Sequence, residues 1–523
     1  MEYIVKYSGD ILSLGYPTDL LGQNYAILEL TDQEARQLWR HRQVEYYEPA
    51  KRLTPAIQRG LDAACIRPVQ RAGPLGLTGQ GVMVGLVDSG IDLDHPDFRT
   101  AEGGTRVVDL WDMTLAGTPP PGFRRGAVFT SREIDAGQVP SRDRRGHGTA
   151  AAGIAAGNTG AAPGAAIAVV KLPDRDPQTT DIMRGIKFLL DRAAERNMPC
   201  AINLSYGTNN GSHWGQSLFE TYIDAMALQW KNVLVAAAGN EGSGGHHFFD
   251  RLRPGQTVLA EFTVATAREL VYLSLWKSFA DTASFELVLP SGATTGVLTA
   301  RAQPYAFTFG DIRVGVLFRG PTHYSTAQEV YIQLEGPRGS MDGLWTLKCT
   351  GIQVVDGWFD IWLPTVEDVT EATAFLRPQP DLTITLPATA AQPISVGGYR
   401  TATETLSPFS GRGDGQCRGR VLLDITAPAE DILAPRPGGG YGSFTGTSMA
   451  APFVTGAAAL MMEWGVVRGN DPFLYGQRVK AYLCKNAARS PFWDYPNPLW
   501  GYGKLYLCGA MNDLTGRGKG GEV

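Results

Sequence analysis

The chain has 523 residues, 43% apolar and 19% charged, proportions of a globular protein with more than one domain and unlike those of a disordered one. Against 52 acidic residues there are 47 basic ones, a formal charge of −5 without a basic patch, which argues against a nucleic-acid partner. No apolar run reaches the roughly 18–20 residues that span a bilayer, and six cysteines without a CxxC pair read as buried thiols, not as a disulfide framework or zinc site.

The opening Met1-Glu2-Tyr3-Ile4-Val5-Lys6-Tyr7 lacks the basic stretch and long apolar segment of a secretory signal, so synthesis inside the cell is expected. Residues 1 to about 50 read as a small unit. Tyr3–Tyr7 and Tyr25–Leu30 alternate as strands, Thr31 and Glu34 form a capping box opening a helix through about Arg40, and Val44–Tyr47 is a third strand. A linker from about Lys51 to Gly73 follows.

From Gly81 the pattern changes. The continuous apolar runs Val82–Val87, Ala165–Val170, Cys200–Leu204 and Asn232–Ala237 fit parallel strands buried on both faces. Helical stretches at about 181–197 and 215–231 intervene, which predicts an α/β fold with a mainly parallel sheet. Between about 250 and 375 short strand-like pieces separated by Gly, Pro and Ser take over: 270–276, 285–289, 312–318, 330–334, 345–349 and 358–363. They predict an inserted all-β, jelly-roll-like domain. The α/β pattern resumes at about Leu382, and the glycine-rich end reads as a flexible tail.

Three residues suit nucleophilic catalysis. Asp88 follows the first buried strand, where open α/β sheets place their sites. His147 lies in Arg145-Gly146-His147-Gly148-Thr149, ahead of a small-residue helix. Ser448, in Gly446-Thr447-Ser448-Met449-Ala450-Ala451-Pro452, opens an apolar helix whose N-terminal N–H groups and dipole suit a developing oxyanion. In this assignment His147 takes the Ser448 proton, Asp88 orients the imidazole, and Asn240, in Ala238-Gly239-Asn240-Glu241-Gly242, joins the Ser448 N–H as an oxyanion donor. In subtilisin, loss of such an asparagine costs about 10²–10³ in turnover.

Asp-Ser-Gly, His-Gly-Thr, Ala-Ala-Gly-Asn and Gly-Thr-Ser-Met-Ala-Ala-Pro, in this order, resemble the subtilisin-like (S8) serine proteases. The resemblance implies a self-processing serine endopeptidase acting on protein or peptide substrates. Ser205-Tyr206-Gly207 would pair with the extended substrate, and Ala237-Ala238-Gly239 would wall a first specificity pocket with room for a side chain and no strong charge selection. The inserted β-domain, the short N-terminal unit and Leu406–Gly413 resemble more narrowly the Csp germination proteases of clostridial spores. In that group a prodomain acts as a folding chaperone and can stay bound after self-cleavage, and the active member cleaves the zymogen of a spore-cortex hydrolase.

By this analogy the prodomain spans 1–60, the catalytic domain 61–250 and 376–510, the insert 251–375 and the tail 511–523. Self-cleavage falls between about Lys51 and Arg71, and the protein is incorporated into the spore. The alternatives are a catalytically silent Csp-like partner-binding protein, which the complete Asp88, His147 and Ser448 set argues against, and a general degradative protease. No cofactor is required. Many family members bind calcium, but Asp92, Asp94 and Asp97 lack the EF-hand order and no calcium ligand is assigned. His95 reads as structural, His246-His247 lack the spacing of a closed metal site, and the insert's tryptophans read as core.

Overall fold

The computed structural model describes residues 2–49, 56–71, 75–266, 268–416 and 418–516. The chain divides into two compact units, Met1–Pro55 and Ala56–Val523. In the first, β1 (Glu2–Tyr7), β2 (Thr18–Gly22), β3 (Tyr25–Glu29) and β4 (Val44–Pro49) make an antiparallel sheet in the order β2-β3-β1-β4. Val5, Ala26, Leu28 and Leu38 form its small core. The capping box is present: the Glu34 carboxylate accepts from the Thr31 N–H at 2.7 Å, and the Thr31 hydroxyl accepts from the Glu34 N–H at 3.3 Å. The helix it opens stops at Ala35, and a 3-10 turn at Leu38–Arg40 replaces the rest of the expected helix. Strand β2 adds to the three expected strands; its Thr-Asp-Leu-Leu-Gly lacks their alternation.

In the larger unit β5 (Met83–Asp88), β6 (Val107–Asp112), β7 (Ala127–Thr130), β8 (Ala166–Lys171), β9 (Cys200–Leu204) and β10 (Asn232–Ala237) precede the insertion. The inserted strands are β11 (His247–Arg251), β12 (Thr257–Val264), β13 (Leu270–Ser278), β14 (Thr282–Val288) and β15 (Tyr305–Phe309). They continue as β16 (Ile312–Arg319), β17 (Ala327–Glu335), β18 (Gly343–Gln353) and β19 (Trp358–Trp362). The first sheet is completed by β20 (Ile394–Arg400), β21 (Thr405–Leu406) and β22 (Ile425–Pro428).

That sheet runs β21-β20-β10-β9-β5-β8-β6-β7, with β22 also on β20, and is parallel except where β7 and β21 pair. Strand β5 shows why its strands read as unbroken apolar runs. Val84 and Leu86 face one core, which holds the helices His147–Ala156 and Thr447–Met462, while Met83 and Val87 face a second core under Thr179–Glu195 and Leu218–Ala227. The insert comprises two antiparallel sheets, β11-β19-β13-β17-β16-β15 and β12-β18-β14, sharing one core around Phe262, Leu273, Leu334 and Trp345.

Several expectations need correction. The N-terminal unit closes at Pro55 rather than residue 60, because the Ala56–Ala63 helix packs with the larger core: a Cβ on Gly60 would sit 2.6 Å from the Phe453 ring. Of the expected self-cleavage segment, 51–55 lie outside the described residues, while Ile66–Arg71 is a further helix with Ile66 and Val69 buried. Residues 511–516 are not tail, since the helix Leu507–Leu514 buries Met511 completely; 517–523 lie outside the described residues.

Not all cysteines are thiols, because Cys65 and Cys508 form a disulfide; Cys200, Cys349 and Cys484 are free and buried. One helix, Thr447–Val467, does reach membrane-spanning length and apolarity, with 83% of its apolar window buried inside the fold. Its composition serves the protein core.

Candidate active site

Strand β5 delivers Asp88 to the carboxyl end of the sheet, fully buried. Its Oδ1 accepts from the Ser89 N–H at 2.7 Å and from His147 Nδ1–H at 2.8 Å. The imidazole therefore carries its proton on Nδ1 and leaves Nε2 as an unprotonated nitrogen able to accept one. His147 is the first residue of the His147–Ala156 helix, and Asp143, which the sequence reading missed, pins that helix end. Asp143 Oδ1 accepts from the Gly146 N–H (2.9 Å) and the Ser89 hydroxyl (2.9 Å), and Oδ2 from the Thr149 N–H (2.9 Å) and hydroxyl (2.7 Å). A buried carboxylate is at home there because helix N-termini carry free N–H groups and partial positive charge. Its sequence signal is an aspartate just ahead of the histidine's helix.

These charges set the basicity of the imidazole. Burial pushes the His147 imidazolium down, but Asp88, by charge and hydrogen bond, and then Asp143 hold it above its ordinary range; Arg145 opposes them. The Tyr206 ring stands edge-on to the imidazole at 5.8 Å, and burial pushes its phenol up, so it stays neutral.

Ser448 is the second residue of the Thr447–Met462 helix and half-buried, at a position whose N–H has no intrahelical acceptor. Gly446 precedes it at φ +146°, and a Cβ there would lie 3.0 Å from the Ser448 hydroxyl and 3.5 Å from Asn240 Nδ2. Only glycine lets serine and asparagine converge this closely. Pro452 lacks the N–H that would bond the Ser448 carbonyl, and the Ser205 hydroxyl donates to that carbonyl instead at 3.1 Å. Ser205 in turn accepts from Asn203 Nδ2 at 2.8 Å, and Asn203 Oδ1 accepts from the Thr455 hydroxyl at 3.2 Å. The side chain of Ser205 thus ties the Ser448 helix to β9, and pairing along β9 stops at Leu204, ahead of Ser205–Gly207.

Among the described residues no hydrogen bond joins the Ser448 hydroxyl to His147. Catalytic hydrogen bonds commonly tighten only when substrate is bound.

Asn240 follows β10 through Gly239 at φ +86°. Its Oδ1 accepts from the Thr447 N–H (3.0 Å) and hydroxyl (3.2 Å), which fixes the amide plane. Its Nδ2 donates to Glu367 Oε1 at 3.0 Å, a partner supplied by the segment leaving the insert. Glu241 anchors that segment: fully buried, it accepts from the Val366 N–H at 3.0 Å, from Asn209 at 3.2 Å and from His246 Nδ1–H at 2.5 Å. A cavity of about 520 Å³ beside this point is lined by Asn240, Ser243, Val366, Glu371, Phe409 and Gly446.

The expected room between Ser205-Tyr206-Gly207 and Ala237-Ala238-Gly239 is narrowed by Thr385. A Cβ on Gly207 or on Gly239 would come within 2.4 or 2.5 Å of its hydroxyl, and its N–H donates to the Ala238 carbonyl at 3.0 Å. The Thr385 hydroxyl is buried without a hydrogen-bond partner among the described residues.

The residues weighed for metal all have protein partners. Asp92 accepts from the Asp94 and Gly438 N–H groups, and Asp97 from the Tyr441 hydroxyl. His95 accepts from the Asp97 N–H and bonds the Gly440 carbonyl. His247 bonds the Asp381 carbonyl and Asp360. Among the described residues no group of three or more His, Cys, Asp or Glu is arranged to hold a metal ion.

The Peptidase_S8 profile, described as the subtilase family, matches residues 79–270 and 374–503. The solved structure of the CspB protease of Clostridium perfringens is similar at 35% identity and a TM-score of 0.81, covering 89% of this chain and 99% of that one. The minor extracellular protease Vpr of Bacillus subtilis is 23% identical over 475 residues, 84% of this chain and 52% of Vpr. Subtilisin E of Bacillus subtilis is 34% identical over 178 residues, 32% of this chain and 37% of that protein. The chain thus spans about half or less of the length of these curated relatives.

Proposed function

The chain belongs to the subtilase family, and from that premise we propose that it is a serine endopeptidase made as a self-processing zymogen. The observation that carries the reading is the Asp88–His147 hydrogen bond at the carboxyl end of β5, on the same core as the Ser448 helix. His147 Nε2 takes the Ser448 proton as the hydroxyl oxygen attacks the substrate carbonyl, giving a tetrahedral oxyanion. Asp88 stabilises the imidazolium, which then protonates the leaving amine; the acyl-enzyme is hydrolysed by the same base acting on water. Asn240 Nδ2 and the Ser448 N–H are the oxyanion donors, and the substrate's acyl half lies along Ser205–Gly207. With Thr385 between the glycines, the first pocket takes a small uncharged side chain.

The first compact unit serves as the prodomain, and the helices that follow, which bury Leu61, Ile66 and Val69 in the larger unit, favour self-cleavage ahead of Ala56. The likeness to the CspB protease supports a germination role, activation of the zymogen of a spore-cortex hydrolase by a protein carried in the spore.

The test compares intact masses of the wild type and Ser448→Ala under reducing conditions. The wild type is expected as a cut chain and the variant at full length. Two whole chains, with a broad peptide library also untouched, would overturn the peptidase reading. Equal abundance in vegetative cytoplasm and purified spores would overturn the germination role.

A further inference from the structure

In the resting protein the oxyanion donor is occupied by a carboxylate. Asn240 Nδ2 donates to Glu367 Oε1 at 3.0 Å, across 127 residues of chain. Glu367 is not needed to orient the amide, because the Thr447 N–H and hydroxyl already hold Asn240 Oδ1. It is also poorly placed for catalysis as it stands, since an oxyanion forming on the same nitrogen would face a like charge at close range. Its position is built in. The Val366 N–H is bound to buried Glu241, the Asp368 and Val369 N–H groups donate to the Thr365 carbonyl at 2.9 and 3.0 Å, and the Thr370 hydroxyl donates to the Ala265 carbonyl at 2.5 Å.

Glu367 itself is exposed, and among the described residues no lysine or arginine pairs with it or with Glu371. The adjoining cavity of about 520 Å³ touches Asn240 and Gly446 but none of Ser205–Gly207 or Ala237–Gly239, the residues assigned to the acyl half. A peptide reaching it does so with its leaving-group half.

We propose that Glu367 latches the oxyanion donor, and that the latch is opened by a lysine or arginine on the leaving-group half of the substrate. The inference rests on the peptidase reading. A cation entering beside Glu367 draws the carboxylate from Asn240, frees the amide for the oxyanion and removes the like charge. Substrates that end at the scissile bond cannot do this, so the latch favours cleavage within an extended, basic-flanked segment. Glu367 acts here as a positioning residue.

The full-length protein is assayed with peptides sharing one acyl half, taken from a library hit, and carrying Lys, Ala or Glu at the first two leaving-group positions. The aminomethylcoumarin amide of the same acyl half is the truncated probe. The wild type is expected to favour Lys over Glu by about tenfold in kcat/KM, and Glu367→Ala to collapse that ratio toward one while raising the coumarin amide's kcat/KM several-fold. Glu367→Gln, which keeps a neutral acceptor for Asn240, should lose the charge preference with a smaller gain on the amide. An unaltered Lys-to-Glu ratio, or a slower coumarin amide in Glu367→Ala, overturns the latch while leaving the peptidase reading intact. Inert proteins whose Ser448 also resists a labelled fluorophosphonate overturn the peptidase reading and the latch with it.

Discussion

The Asp143 carboxylate, four residues ahead of His147, accepts both the backbone N–H and the hydroxyl of Thr149, two residues beyond it, at 2.9 and 2.7 Å. It thereby couples the helix end to the imidazole through both structure and charge. Asparagine there cannot accept at both oxygen positions, so Asp143→Asn should destabilise the protein by roughly 1–3 kcal/mol in thermal or denaturant unfolding.

The same variant carries a pH prediction. His147 is held above its ordinary 6.5, in part by Asp143. The stability this contributes is present below the unfolded pKa and lost as pH rises through the folded one. Activity runs the other way, because the neutral base accumulates above the folded pKa. The acid limb of kcat/KM should therefore lie above pH 6.5 in the wild type and move to lower pH in Asp143→Asn, whereas a purely structural role for Asp143 would leave the limb in place.

Thr385 should set the size of the first specificity pocket. Thr385→Gly removes the side chain packed between Gly207 and Gly239 and should extend cleavage from small to large acyl-side residues. Profiling both proteins against one peptide library checks this; an unchanged profile would place the pocket elsewhere.

What the sequence disclosed follows the range of the interactions involved. Strands β9 and β10 match the apolar runs Cys200–Leu204 and Asn232–Ala237 residue for residue, because burial on both faces writes itself into every position. Asp88, His147, Ser448 and Asn240 stood out because tight backbone around them demands glycine and alanine neighbours. Strand β15, Tyr305–Phe309, was hidden because an edge strand need not be apolar on both sides. Glu367 and Thr385 act through partners brought near by folding, and nothing in their immediate neighbours marks them; Asp143 is marked only by lying just ahead of the His147 helix.

Charge buried between Arg418 and Asp360 ties the insert to the segment that follows it. Arg418 donates to Asp360 of β19 at 2.8 Å, and His247 donates to the same carboxylate at 2.9 Å. Burial alone would raise Asp360, but these partners hold it below its ordinary 3.8, so the stability it adds is present above the unfolded pKa and lost as pH falls through the folded one. Arg418→Met should leave that charge under-compensated and cost roughly 3–5 kcal/mol at neutral pH, with the penalty shrinking on acidification. Denaturant melts at two pH values measure both effects.

Cys508→Ser should lower the unfolding temperature. The bridge joins residues 443 apart, and restraining so long a segment of the unfolded chain contributes roughly 2–4 kcal/mol in typical cases. A reducing agent should shift the wild type toward the variant and leave the variant unmoved.

That bridge also makes the larger unit a covalent ring with two short arms. A cut ahead of Cys65 sheds a fragment, but a cut anywhere between Cys65 and Cys508 only opens the ring, and both pieces stay joined. A protease that nicks itself or is nicked by its neighbours would then keep its catalytic parts in one molecule, its damage visible only after the sulfur link is reduced.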